Sequence, residues 1–448
     1  MNEFPLGDST APVHCDPLPS ETDVVVIGGG VVGVTTALFL ARAGRRVVLL
    51  EKGRIAAEQS SRNWGWIRQQ GRDPDELPIM QEAARLWRAL ALETNVDIGL
   101  TQGGVTYLAS DEVAMQSYAD WLPNAESHGI DTRLLTRQET QELIPGLARN
   151  YAGALHTPSD MRAEPWVAVP ALAGIAKREG VVIREACAVR CLDLAAGKVA
   201  GAFTEAGRIA CSEIVVAAGA WSALFLGNHG VHLPQLSVRA TVAATTPLPM
   251  VYAGGAADDG VAFRPRADGG YSLAAGGFHE LFVGPAAVRA LPKYLPQLRA
   301  DPFGTMFYPA APKGYPDGWL TARRWDGDMP TPFESVRVLN PSPNRRKVRE
   351  IKNRFAALFP KLPAFDLTCA WAGMIDTMPD LVPVIDRVAT VPGLTVGTGL
   401  SGHGFGIGPG VGQVLARLVL GEAPGFDLNR FRADRFARGM PIRLGPAL

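Results

Sequence analysis

The stretch 22–51, TDVVVIGGGVVGVTTALFLARAGRRVVLLE, constrains this chain more than any other. Val24–Ile27 is a short apolar run suited to a parallel strand buried on both faces. Gly28, Gly30 and Gly33 follow at the spacing G-x-G-x-x-G. The first glycine permits a tight turn, the second lets a pyrophosphate approach the backbone, and the third lets helix and strand pack closely. The helix that starts at Val31 and Val32 offers free N–H groups and the positive end of its dipole to the phosphates. Glu51 ends the next strand, where a carboxylate accepts hydrogen bonds from ribose hydroxyls. A glycine turn that merely packs leaves this acid unexplained. The segment therefore predicts a dinucleotide site.

Composition narrows the class. With 448 residues and 47% hydrophobic content, the chain can bury a large core and is expected to form two domains. Lys+Arg and Asp+Glu are both 44, which argues against a nucleic-acid or anionic-membrane footprint. Five cysteines suit a reducing compartment. Cys187 and Cys191 are four apart, but no nearby His or second Cys pair completes a zinc site, so they read as packing residues and no metal is expected. The apolar run 24–40 is broken by glycines and led by Asp23, unlike a membrane span. The first twenty residues, rich in Pro, Ser and Asp, read as a loose leader. They lack the basic start and apolar middle of an export signal, so a cytoplasmic location is the expectation.

Periodicity predicts helices at 78–94, 112–128, 165–179, 345–358 and 411–420. Strands are expected at 104–109, 181–183, 188–194, 198–204, 207–210 and 213–218. From 233 to about 362, prolines and short alternating runs (237–244, 260–265, 270–276, 319–324) suggest a mostly antiparallel sheet with loops. Short buried strands return at 371–386 and 394–399. The expected fold class is α/β with two domains: a nucleotide domain (21–90, 151–230, 365–448) interrupted by a sheet-rich substrate domain (91–150, 231–364). No second G-x-G-x-x-G with its strand and acid occurs, so there is room for one tightly held dinucleotide.

The C-terminal stretch 394–420, LTVGTGLSGHGFGIGPGVGQVLARLVL, reads as strand, glycine loop and helix. Such a loop points main-chain N–H groups at a ligand, and a helix N-terminus beyond Pro409 adds positive potential. A helix start that only needs tight turns would look the same.

Taken with EIVVAAGAWS and WAGMIDTMPDLVPVID, the opening and closing motifs make the chain resemble the D-amino-acid oxidase superfamily of FAD enzymes, from about residue 22 to 424. The resemblance implies FAD, a nucleotide domain of the glutathione-reductase (Rossmann) type, and a sheet floor covering the flavin. It also implies oxidation of a carbon–nitrogen bond by hydride transfer to flavin N5. Residue by residue, it places Gly28, Gly30, Val31, Val32, Gly33, Glu51 and Lys52 at the pyrophosphate and adenosine. Ser60, Ser61 and Arg62 fall beside the flavin, and Val189 at adenine. Ala218, Gly219 and Trp221 fall at the nucleotide-facing strand end. Gly402, His403, Gly404, Phe405 and Gly406 fall at the flavin pyrimidine edge. Some sarcosine oxidases hold FAD through a cysteine just before the segment matching MPDLVPVID. Cys369 lies a few residues early, so non-covalent FAD is expected. Gly406 stands where those enzymes place a lysine, which removes one carboxylate partner.

A flavin carries the redox chemistry, so the protein's task is to orient the substrate and tune charge. A substrate carboxylate suits an arginine, which offers two parallel charge-assisted hydrogen bonds. Arg68, in NWGWIRQQGRD, is the first candidate, followed by Arg264 and Arg266 in FRPRADGG and by Arg323 and Arg324 in LTARRWDGD. Trp64, Trp66, Tyr252 and Tyr271 are candidate pocket walls. His403 is a candidate flavin-side donor, whereas His279 reads as a surface or loop residue. The leading reading is a FAD-dependent oxidase or dehydrogenase of a small amino acid or N-substituted amino acid, passing electrons to oxygen or a quinone, as a monomer or homodimer. Its competitors are a D-amino-acid dehydrogenase, a FAD-binding subunit of a hetero-oligomeric dehydrogenase, and an NAD-dependent dehydrogenase.

Overall fold

The glycine turn lies at the centre of a six-stranded sheet. In the computed structural model, which describes residues 4–445, Val24–Ile27 pairs in parallel with Val47–Leu50 on one side and Glu213–Val216 on the other. Val182–Arg184 and Leu394–Thr398 extend the sheet in parallel, and Val384–Arg387 closes one edge antiparallel. Side chains alternate between two cores, as a strand's two-residue period requires. Val24, Val26, Val47 and Leu49 join the helices Val31–Arg42, Pro165–Arg178 and Gly404–Leu420. Val25, Ile27, Val48 and Leu50 face a three-stranded antiparallel layer of Val189–Ala195, Lys198–Thr204 and Gly207–Ala210. Cys187 and Cys191 are buried in this second core.

Gly33 shows why its spacing matters. A Cβ added there would lie 1.9 Å from the Gly28 carbonyl oxygen. Gly33→Ala is therefore expected to cost about 1–3 kcal/mol through overpacking, read as a lowered thermal midpoint even in protein stripped of cofactor. An unchanged midpoint would contradict the packing role.

The second sheet has ten strands. Its long members, Leu236–Thr245 and Leu367–Thr377, run antiparallel from the pair Leu236–Thr377 to Ala244–Cys369. The sheet is mostly antiparallel, as expected, with two parallel pairings: Gly255–Ala257 with Val105–Ala109, and His279–Phe282 with Thr305–Tyr308. The α/β class with a nucleotide domain interrupted by a sheet-rich one holds, but its seams move. Gly153–Thr157 and Leu367–Thr377, expected in the nucleotide domain, belong to the large sheet.

Three further differences have physical causes. The closing helix starts at Gly404, well before the expected 411. Its glycines are points of close helix packing: an added Cβ would lie 2.7 Å from Val31 at Gly408, 2.5 Å from Ile79 at Gly410 and 2.2 Å from Thr35 at Gly412. A helix at Pro285–Ala300 replaces expected sheet and loop; Pro285 stands in its first turn, where no N–H partner is lost. The stretch 319–324 forms no strand. Residues 1–3 of the leader lie outside the described residues, and the rest of it is not loose. Phe4 stacks on Trp166 with centroids 4.6 Å apart, and Glu185 accepts from the Val13 and His14 amides at 2.6 and 2.8 Å. Among the described residues, no helix is long and apolar enough to cross a membrane.

Candidate active site

The two sheets enclose a cavity of about 730 Å³. At one end lie Gly28, Gly30, Val31 and Val32. A helix starting at Val31 leaves its first-turn amides without intrahelical partners, and the Ser60 hydroxyl takes only that of Val31, at 2.9 Å. Glu51 sits at the cavity edge with Oε2 on the Gly29 amide (2.8 Å) and Oε1 on the Gly53 amide (2.7 Å). Each oxygen retains a second acceptor position. Lys52 lies 4.5 Å over the Trp221 ring, with its ammonium on Glu58 at 2.6 Å. Arg62, Val189, Ala218 and Gly219 complete this end. Free amides, a ribose-height carboxylate and small residues suit a dinucleotide, so the residues present fit FAD.

The strand Leu236–Thr245 supplies a floor, turning Leu236, Val238, Ala240 and Val242 toward the cavity, with Gly373 and Ile375 beside them. Opposite, Gly402, His403, Gly404, Phe405 and Gly406 line the wall. The helix N-terminus at Gly404 meets the cavity, reached from the strand Leu394–Thr398 through a short loop that includes Gly399 and Gly402.

The other end is built by residues 64–76. Trp64 and Trp66 line it edge to face, centroids 5.2 Å apart. Asp160 accepts from the Gln69 and Gln70 amides at 2.7 and 3.3 Å, which pins this turn; burial pushes its carboxyl up to about 7. Arg68 faces the cavity, 5.3 Å over the Tyr107 ring, and donates to the Gln70 carbonyl. Arg72 also faces the cavity and is only 7% exposed. Its Nε has no partner, and its guanidinium joins no ion pair among the described residues. Burial, reinforced by Arg68, pushes Arg72 down to about 10. Glu76 follows at the same wall, 1% exposed. His403 Nε2 lies 2.8 Å from Glu76 Oε2, off the line of a hydrogen bond. Burial and then Arg72 lower the His403 pKa, while Glu76 opposes them.

Several expected site residues lie elsewhere. Arg264 is buried in a two-pronged ion pair with Glu164 (2.6 and 2.9 Å) and donates to the Trp64 carbonyl. Arg266 is satisfied by Asp268 and the Thr245 carbonyl. Arg324 is exposed and donates to the Gly227 carbonyl; Arg323 pairs with Asp317 at 3.1 Å. Having found their own acceptors, these four arginines lie outside the cavity lining. Tyr252 and Tyr271 are core residues: the Tyr252 hydroxyl bonds Thr106 at 2.9 Å, and that of Tyr271 accepts from the Val251 amide at 2.8 Å. Ser61 and Gly33 are buried behind the cavity. Cys369 sits on Leu367–Thr377, the strand paired with the floor, but outside the lining. His279, expected at a surface or loop, begins the strand His279–Phe282 and lines the cavity. Arg72, Glu76 and Tyr107 were not anticipated; the charge density of RQQGRDPDE was the one signal for the first two.

Comparison with known proteins gives the family. Residues 23–418 match the family model described as DAO, FAD dependent oxidoreductase. Sarcosine oxidase subunit beta of Rhizobium meliloti (strain 1021) is 27% identical over 438 residues, covering 95% of this chain and 91% of that protein. Glycine oxidase of Geobacillus kaustophilus (strain HTA426) is 25% identical over 429 residues, covering 92% and 97%. Some matching relatives are longer, and the chain spans 25% of one and 46% of another. Among solved structures, L-amino acid deaminase from Proteus myxofaciens in complex with anthranilate superposes with a TM-score of 0.90 at 30% identity, covering 96% of this chain and 97% of that one. The chain belongs to the DAO family of FAD-dependent oxidoreductases.

Proposed function

We propose that this chain oxidises the C–N bond of a small amino acid or N-substituted amino acid, using FAD held without a covalent link. The observation that carries the reading is Arg72: a buried guanidinium with no ion pair among the described residues, facing a cavity whose far end suits a dinucleotide. Leaving a cation buried and unpaired is costly unless a ligand anion completes it. A substrate carboxylate does so with two charge-assisted hydrogen bonds. The names of relatives, sarcosine oxidase, glycine oxidase and L-amino acid deaminase, support an amino-acid substrate. Non-covalent attachment is supported by Cys369 lying outside the lining.

FAD held there would supply the hydride acceptor for oxidation of the substrate C–N bond, and the imine so formed would hydrolyse. The chain's own residues do the rest. Arg72 fixes the carboxylate, with Arg68 beside it on Tyr107. Trp64, Trp66 and Tyr107 give the substrate end an apolar wall that excludes water and strengthens those contacts. Gly402–Gly406 amides and the helix start at Gly404 supply positive potential beside them.

Anaerobic mixing with a panel of amino acids, N-alkyl amino acids and simple amines, read by bleaching of flavin absorbance, tests the proposal. Bleaching by carboxylated amines is the expected outcome, and admission of air then separates an oxidase from a dehydrogenase. No bleaching across the panel would favour a non-catalytic FAD-binding subunit. Glu51→Ala is expected to release FAD on dialysis, seen as lost yellow colour; full retention would count against the ribose role of Glu51.

A further inference from the structure

We infer that Glu76 and His403 form a proton-accepting pair for the substrate ammonium, His403 taking the proton and Glu76 positioning its imidazole. The inference rests on the amino-acid reading above. An amino acid's ammonium is one carbon from its carboxylate. A carboxylate on Arg72 therefore brings the ammonium to the same wall as Glu76 and His403, all three of which line the cavity. The ammonium must lose a proton before the C–N bond can be oxidised, because the nitrogen lone pair drives iminium formation.

The imidazole is prepared for this. Nε2 lies 2.8 Å from Glu76 Oε2, off hydrogen-bond alignment; a small rotation of the ring that aligns them makes Nε2 the donor and leaves Nδ1 as the accepting nitrogen of the neutral ring. The arrangement has the logic of a base oriented by a carboxylate. In the transfer, an N–H bond of the ammonium breaks and one on the imidazole forms. The electron pair stays on the substrate nitrogen, and nothing is oxidised or reduced. The charged groups facing His403 are Arg72, Glu76 and Arg68. The arginines disfavour the imidazolium and Glu76 favours it. A substrate carboxylate offsets Arg72, leaving Glu76 the stronger influence. The substrate thereby raises the basicity of the group that deprotonates it, and product departure reverses the effect.

The test is anaerobic flavin reduction by one amino acid from pH 6 to 10, for the wild type, His403→Asn, Glu76→Gln and Glu76→Asp. Flavin absorbance before mixing reports bound FAD independently of turnover. The expected result is a fall of tenfold or more at pH 7 for His403→Asn and Glu76→Gln. That loss should vanish as the pH approaches the ammonium's own pKa. Added imidazole should restore His403→Asn, and Glu76→Asp should retain most of the rate. A loss of equal factor at every pH, without imidazole rescue, would overturn the inference. So would a wild-type profile that follows only the ammonium's solution titration, a result that needs no variant. A wild type that no amino acid reduces at any pH overturns the amino-acid reading itself, and the pair with it.

Discussion

Replacing Arg72 with glutamine is expected to lower kcat/KM for amino acids about a hundredfold, or about 2.7 kcal/mol, and to leave the protein as stable as before or more so. The two effects separate because of how Arg72 is held. A guanidinium that is 7% exposed, with an orphaned Nε and no ion pair among the described residues, contributes little to the folded state and is costly to desolvate. Its proposed partner is the substrate. Losing one side of a desolvated charge pair typically costs about 2–5 kcal/mol, which brackets the expected loss. Simple amines lacking a carboxylate should be reduced nearly as fast by the variant as by the wild type. Arg68→Ala should be milder, since Arg68 already leans on Tyr107 and donates to the Gln70 carbonyl. The measurement is steady-state kinetics on a carboxylated and a plain amine, with a thermal melt of each variant. A lowered melting point with equal loss on both substrates would return Arg72 to a structural role.

Arg264→Ala is expected to do the reverse, destabilising the fold by about 3–5 kcal/mol without favouring one substrate over another. Arg264 and Glu164 form a two-pronged pair with side chains 1% and 5% exposed. Glu164 also takes the Ala267 amide, at 2.8 Å. Truncating the arginine leaves this carboxylate buried and uncompensated, which costs more than the pair itself contributed. Equilibrium or thermal unfolding shows the loss. A substrate-selective rise in KM at unchanged stability would instead place Arg264 in the site.

These two arginines mark the limit of what the amino-acid sequence makes legible. The opening motif was readable because each of its features has a local cause: apolar runs for strands buried on both faces, glycines where backbone meets backbone, and an acid at the strand end. The helix Arg345–Leu358 was likewise readable from its period. Which arginines stay free is a non-local matter. Arg264 finds Glu164 a hundred residues away, while Arg72 joins no ion pair among the described residues, and nothing in FRPRADGG or RQQGRD distinguishes the two outcomes. Glycine and proline misled in the same way. Pro292 and Pro296 read as turn signals but lie inside a helix at the cavity's side. Gly404, Gly406, Gly408 and Gly410 read as part of a ligand-facing loop but serve a helix pressed against two others. The leader looked loose because its partners, Trp166 and Glu185, are far along the chain.

The order of strands in the six-stranded sheet has a consequence for biosynthesis. Val24–Ile27 lies between partners from near residues 50 and 215, and Leu394–Thr398 must then add beside Glu213–Val216. Gly404–Leu420 must also reach Val31–Arg42 before the cavity has its final wall. At ribosomal rates of about 5–20 residues per second, roughly 20–75 s separate the emergence of the first strand from that of the last. During this interval the nascent glycine turn has no finished site to offer. Loading of the cofactor is thus expected only after Gly404–Leu420 has docked, and truncation before Gly404 should empty the nucleotide end as surely as a lesion at Gly28.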